Sequence, residues 1–297
     1  MSKLREGEVM RFVALGDSTT FGLGDPLPGG GWRGWAMLLA QALDAVFINV
    51  ASNGATCADV GGSQLKLALV QRPQLASVLV GVNDTLRGNF RPDVSAAHLE
   101  HTVASLTSAG ATVLTARMPD PGKMLSLPSA LARPLARRIA EVNAAMDDIS
   151  QRYGTVHVDL AGDLRTYDRQ MWSVDRLHPS EVGHRHIAVE YAAALVSRGM
   201  PVPGPLTVER AGGARVTRGG QLWWLATRGT AWIAARSQDL VPQLVSMAAQ
   251  EIWSDLRRKP AIAEAVIEPV VWPQAVDGVI RAMTTGGERD RVDTFSG

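Results

Sequence analysis

The sequence predicts an α/β fold, a three-layer α/β/α sandwich around a central, mostly five-stranded parallel sheet, followed by a mainly helical C-terminal extension. Three observations carry this prediction. Over the first two hundred residues, short runs of strand formers alternate with helix-patterned segments, which is the signature of βαβ units. Polar, chemistry-bearing tetrapeptides sit just past the ends of those runs, where open α/β sheets place their ligands. After residue 199 the character changes: MPVPGP interrupts both helix and sheet, and five of the eight tryptophans follow it.

The elements follow in order. RFVAL at 11–15 is an apolar run that ends at a glycine and predicts the first strand. A helical pattern at 34–43 leads to a second strand at 46–51, and a helix at 64–70 to a third strand at 77–82. A helix at 96–108 precedes the strand at 112–116, and a long helix at 131–152 precedes the strand at 155–160. A last helix at 179–197 opens at Pro179, a residue favoured at the first helical position. Parallel strands need right-handed crossovers, so helices cover both faces and the loops after strands one, two and three converge on one edge.

Three segments on that edge, GDST at 16–19, SNGAT around Gly54 and GVND at 81–84, fit one chemistry with a fourth before the last helix, DRLHP at 175–179. A serine hydroxyl becomes a useful nucleophile when a neighbouring base takes its proton and a third group orients the base. Ser18 is the candidate nucleophile, His178 the base and Asp175 the group that holds the imidazole tautomer. Attack on a carbonyl creates an oxyanion that needs donors aimed at it. Gly54 permits close backbone approach with its N–H inward, and Asn83 offers a side-chain amide.

With these residues in place, the chain resembles the SGNH, or GDSL-type, hydrolases. The resemblance covers roughly the first two thirds of the chain, and Thr19 stands where the family name has leucine. It implies a flavodoxin-like sheet, a Ser18, His178 and Asp175 triad, and an oxyanion hole formed by the backbone N–H groups of Ser18 and Gly54 with the Asn83 side chain. It also implies a small-molecule ester substrate, hydrolysed by an esterase, lipase or deacetylase type of reaction without cofactor or metal. An acyltransferase using the same triad, and a non-catalytic binding protein of the same fold, are the alternatives.

Composition narrows the setting. Thirty basic side chains balance 29 acidic ones, which gives no electrostatic case for nucleic-acid binding. The N-terminal residues lack the apolar core of a signal peptide, and no apolar run is long enough to span a membrane. The single cysteine, Cys57, excludes an internal disulfide and fits a reducing compartment, so a cytoplasmic location is expected. Beside Gly54, it reads as a small packed side chain.

Other motifs yield less. GDSTTFGLGDPLPGGG lacks the spacing of a dinucleotide or nucleotide-phosphate loop, and 22–31 is expected to be a mobile loop over the site. The absence of a G-x-S-x-G elbow disfavours the common α/β-hydrolase topology. His98 and His101 near Glu100, and His184 and His186 in the last helix, lack a zinc signature and are expected on solvated helix faces. Arg117 and Asp120 fit either a pocket wall or local loop hydrogen bonds.

Residues 1–199 are expected to form the hydrolase domain, 200–206 a linker, 207–283 a helical Trp-rich extension and 284–297 a disordered tail. Trp223, Trp224, Trp232, Trp253 and Trp272 with interleaved arginines fit an interfacial helix in peripheral membrane contact. They fit better as aromatics packed on the hydrolase domain or a second subunit.

Overall fold

Five parallel strands form one sheet: β1 (Arg11–Gly16), β2 (Val46–Asn49), β3 (Leu75–Leu79), β4 (Thr112–Arg117) and β5 (Val156–Asp159), in the spatial order β2-β1-β3-β4-β5. The computed structural model describes residues 9–173 and 175–209, together with Ser246, Ala249 and Trp253. Phe12, in the middle of the sheet, pairs with Phe47 of β2 on one side and Leu75 of β3 on the other. Phe12, Val13, Ala14 and Leu15 are wholly buried, as parallel strands covered on both faces require. The edge strand β2 is partly exposed along its length.

The helices form two layers. On one face, α2 (Gly34–Ala42) packs against α9 (Glu181–Ser197), and Trp35 stacks on Tyr191 with ring centroids 4.9 Å apart. Both side chains are fully buried, and each aromatic contributes a large apolar area to that layer. On the other face, α6 (Pro92–Ser108) packs against α8 (Ser129–Tyr153), with a run made of α3 (Cys57–Asp59), a π-helical turn (Val60–Gln64) and α4 (Leu65–Val70) alongside. The short helices α1 (Ser18–Phe21), α5 (Val82–Thr85) and α7 (Pro121–Met124) follow β1, β3 and β4 directly. Because the chain steps from β1 outward to β2 and then crosses back to β3, its direction reverses between β1 and β3. Ligands of such sheets bind at the carboxyl ends flanking that reversal.

Several boundaries differ from expectation. The third strand covers Leu75–Leu79 rather than 77–82, because Gly81 (φ +128°) turns the chain out of the sheet and Val82 starts α5. Helix α6 begins at Pro92, where proline occupies the first turn, four residues before the expected start. Pro179 does not open the last helix. It pairs in an antiparallel bridge with Trp172, and Ser180 caps α9 by accepting the Gly183 N–H.

The 200–206 segment lies along the domain. Gly204 N–H donates to Ala42 O at 2.8 Å, and Met200, Val202 and Leu206 pack against the core. Trp253 is helical and exposed. The other four C-terminal tryptophans, most of the expected extension and the expected tail lie outside the described residues. No helix among the described residues is long and apolar enough to cross a membrane.

Candidate active site

Ser18 is the first residue of α1, directly past β1, so its backbone N–H has no acceptor within the helix. Asp17 caps that helix by accepting the Thr19 N–H at 2.9 Å. The peptide before it is clamped from behind: Gln64 accepts the Gly16 N–H and donates to the Gly16 carbonyl, both at 2.9 Å. Gln64 ends the π-helical turn, whose extra residue per turn brings this buried amide onto β1.

The histidine arrives from the far end of the chain. Residues 171–180 form a tight excursion in which Ser173 N–H donates to His178 O and Ser180 N–H to Met171 O. Arg176 takes a left-handed turn at φ +56° inside it. Asp175 Oδ1 accepts the N–H groups of Leu177 and His178 and the Ser173 hydroxyl, and Oδ2 accepts His178 Nδ1–H at 2.6 Å. Burial works to raise the Asp175 carboxyl, but the bond and charge of His178 with these other donors outweigh it and hold it at about 2. His178 Nε2 then lies 3.0 Å from Ser18 Oγ. One hydrogen-bonded chain therefore runs from carboxylate through imidazole to hydroxyl.

Asn83, in α5 beyond β3, faces the same cavity as Ser18 and His178. One of its amide hydrogens goes to Ala55 O at 3.0 Å, which fixes the side chain against the turn that carries Gly54. Gly54 itself sits at φ +73°, a left-handed conformation that glycine adopts without the Cβ penalty. Asp17 Oδ2 lies 3.5 Å from Asn83 Nδ2. Burial pushes the Asp17 carboxyl up to about 6, against the lowering effect of the Thr19 N–H and of His178.

The cavity at this point is partly open to solvent. Its walls come from β3 and α5 (Leu79, Val82, Leu86), from the segment after β4 (Met118, Met124) and from the excursion before α9 (Trp172). The loop at 22–31 is not among them. It is pinned by the Arg33 pair with Asp25 at 2.9 Å, which Glu181 extends to α9, and by Gly24 (φ +101°), where a Cβ would lie 1.9 Å from Pro179 O. Arg117 and Asp120 are also absent from the walls. Arg117 pairs with Asp147 and Asp159, and Asp120 caps α7 through Gly122 N–H.

A family model for the GDSL-like Lipase/Acylhydrolase family matches residues 14–186, from the end of β1 into α9. The chain belongs to this family. Membership places it among ester hydrolases, and the match takes in all four GDSL-type segments. Solved structures share the fold at low identity. An acetylxylan esterase from Geobacillus stearothermophilus, in a catalytic mutant, is 17% identical over 68% of this chain and 97% of its own, with a TM-score of 0.53. A lipase/acylhydrolase from Enterococcus faecalis is 21% identical over 68% and 100%, with a TM-score of 0.51. TesA is 21% identical over 63% and 98%, with a TM-score of 0.52. None of the curated proteins matches the sequence significantly.

The expectation of solvated faces fails for the two histidines of α9 in this GDSL hydrolase. His184 is fully buried: Nδ1 accepts the Trp35 N–H at 3.2 Å and Nε2–H donates to Leu23 O at 2.8 Å. That pairing needs the neutral ring, and burial lowers its pKa to about 4. His186, also buried, lines the cavity with Nε2 2.8 Å from Asp163. Asp163, His186 and Glu190 are the one group of three potential metal-ligating side chains among the described residues, and Arg165 Nη2 bonds to both carboxylates. His98 is half-buried and His101 exposed on α6.

A second carboxylate, imidazole and hydroxyl chain lies elsewhere. Asp147 Oδ1 is 3.1 Å from His157 Nε2, and His157 Nδ1 is 2.9 Å from Thr115 Oγ1. Thr115 is fully buried and bonds onward to Thr155, so this hydroxyl meets no cavity and serves to join β4, β5 and α8. Access to a pocket distinguishes Ser18 from Thr115.

Gln64 and Asp84 were not singled out from sequence, and His184 was read only as a solvated helix residue. Each left a signal: a polar side chain in a core-facing slot of a helical pattern. Gln64 lies four residues from both Val60 and Ala68, and His184 precedes Ile187 and Ala188 on the buried face of α9.

Proposed function

We propose that this GDSL hydrolase cleaves a carboxylic ester through an acyl-enzyme on Ser18. The observation that carries the reading is the continuous chain from Asp175 through His178 to Ser18, ending in an open cavity. His178 Nε2 takes the Ser18 proton as Oγ attacks the carbonyl carbon, and Asp175 stabilises the imidazolium that forms. The negative charge on the carbonyl oxygen is met by the backbone N–H groups of Ser18 and Gly54 and by the second amide hydrogen of Asn83. Collapse of the tetrahedral species breaks the ester C–O bond, and His178 returns its proton to the leaving alcohol. In the second half-reaction His178 activates water, which attacks the acyl carbon and regenerates Ser18. Residues 1–199 hold every group in this scheme.

The test is intact mass after treatment with a fluorophosphonate, beside Ser18→Ala. One adduct on the wild-type protein and none on the folded variant supports an activated Ser18. No adduct on either, or the same adduct on both, removes Ser18 as nucleophile.

A further inference from the structure

We propose that Asp163, His186 and Glu190 form a binding site for a zinc-type divalent cation beside the cavity, and that the Arg165 guanidinium competes with the ion for it. The groups concerned take no part in the chemistry at Ser18. His186 and Glu190 stand one turn apart on the same face of α9, and Asp163 caps the 3-10 turn Leu164–Tyr167 that follows β5. One imidazole and two carboxylates, each offering a ligand atom within 4.8 Å of the others, suit zinc in donor type and in span.

The imidazole is what points to an ion rather than to a pair of salt bridges. Arg165 Nη2 reaches Asp163 Oδ2 at 2.9 Å and Glu190 Oε1 at 3.0 Å, so the two carboxylates already have a cation. It gives nothing to His186. That side chain is only 3% exposed, yet neither ring nitrogen makes a hydrogen bond, and a buried polar atom without a partner is costly. Both nitrogens turn toward the cluster: Nε2 lies 2.8 Å from Asp163 Oδ2, and Nδ1 lies 3.8 Å from Glu190 Oε1. The shorter contact is outside hydrogen-bond geometry, but a cation about 2.1 Å from each atom would bridge it. A zinc ion satisfies all three side chains where the guanidinium satisfies two. The Arg165 side chain is 62% exposed, so it can swing into water when an ion arrives. Asp163 Oδ1 then keeps its bond to the Arg165 backbone N–H at 3.0 Å, which leaves Oδ2 for the metal.

The experiment titrates zinc chloride into the tag-free full chain by isothermal calorimetry, with magnesium chloride as the comparison, and repeats both on Arg165→Ala, Glu190→Gln and His186→Asn. The expected result is one zinc ion per wild-type chain and no binding of magnesium, which demands octahedral oxygen ligands. Arg165→Ala should bind zinc about tenfold more tightly, the scale of two exposed ion pairs removed as competitors. Glu190→Gln and His186→Asn should each bind at least about tenfold more weakly. Glu190 is part-exposed on α9, so its variant should keep the fold, and circular dichroism on each protein checks this. Thermal melting gives a second reading: zinc should raise Tm in wild type and in Arg165→Ala but not in Glu190→Gln. No zinc binding to either wild type or Arg165→Ala overturns the proposal. Zinc binding that Glu190→Gln and His186→Asn leave unchanged overturns it too, because the ion then sits elsewhere. Arg165→Ala binding no tighter than wild type removes the competition, and magnesium binding as tight as zinc removes the zinc-type chemistry.

Discussion

Both carboxylate oxygens of Asp84 lie within hydrogen-bond reach of the Cys57 backbone N–H, Oδ1 at 3.2 Å and Oδ2 at 3.1 Å. The Ser95 hydroxyl donates to Oδ1 as well, and burial raises the Asp84 carboxyl above the ordinary range. Asn83, the preceding residue, bonds to Ala55 O. The segment that carries Gly54 and the helix that carries Asn83 are therefore joined twice, Ala55 to Asn83 and Cys57 to Asp84. In the proposed mechanism Gly54 and Asn83 are two of the three oxyanion donors, and Asp84 is the residue that sets their spacing.

Asp84→Ala should therefore lower kcat on the order of 10- to 100-fold, the scale of a misplacement of about 1 Å, with KM little changed. Asp84→Asn keeps an acceptor for Cys57 N–H and should recover much of the loss. Steady-state kinetics on both variants decide it. A rise in KM with kcat intact, or no rescue by asparagine, would remove the positioning role.

Asn83→Ala should reduce kcat by about 10²-fold or more if its second amide hydrogen is a full oxyanion donor. Fluorophosphonate labelling and ester turnover should fall together, because both pass through a charged tetrahedral species. Unchanged kcat would leave the hole to the backbone donors alone.

Asp175→Asn keeps the shape of the 171–180 excursion but reverses what its side chain asks of His178 Nδ1. The imidazole is then free to adopt the tautomer that cannot accept the Ser18 proton, and kcat should drop roughly 10⁴-fold. Circular dichroism alongside kinetics separates this from unfolding; near-wild-type turnover in Asp175→Asn would break the proposed triad.

Two buried groups act in opposite directions on stability as pH changes. His184 titrates at about 4 in the folded protein against 6.5 unfolded, so between those values the unfolded chain holds a proton that the folded one lacks, and acid destabilises. Asp17 titrates at about 6 against 3.8, so there the folded protein holds the extra proton and acid stabilises. In the overlap the two offset each other. Asp17→Asn removes one of them and keeps a capping side chain, so this variant should exceed wild type by about 3 kcal/mol at neutral pH, with the difference vanishing near pH 4. Urea unfolding of both proteins across that range tests it, and parallel stability curves would contradict it.

Strand positions and the four catalytic segments were legible because each is a local pattern. RFVAL before a glycine, or His178 three residues after Asp175, needs no knowledge of distant contacts. What escaped was set by those contacts. Val80 continues the apolar run of β3, yet the left-handed Gly81 ends pairing first. Pro179 suits a helix start, but its bridge to Trp172 leaves Ser180 as the cap. His184 reads as polar until α2 lies across α9 and offers the Trp35 N–H to its ring.

The stretch after α9 changes what counts as the end of this catalytic unit. Its residues cross α2 at Gly204 and bring Val208 against the cluster of Met124, Met171 and Trp172. Three of those side chains line the cavity, so their rear support comes from chain that lies beyond the last secondary-structure element. A protein shortened to 199 would retain Ser18, Asp175 and His178 and lose that backing. Preference among substrates, rather than the capacity for chemistry, is what such a trimming would expose.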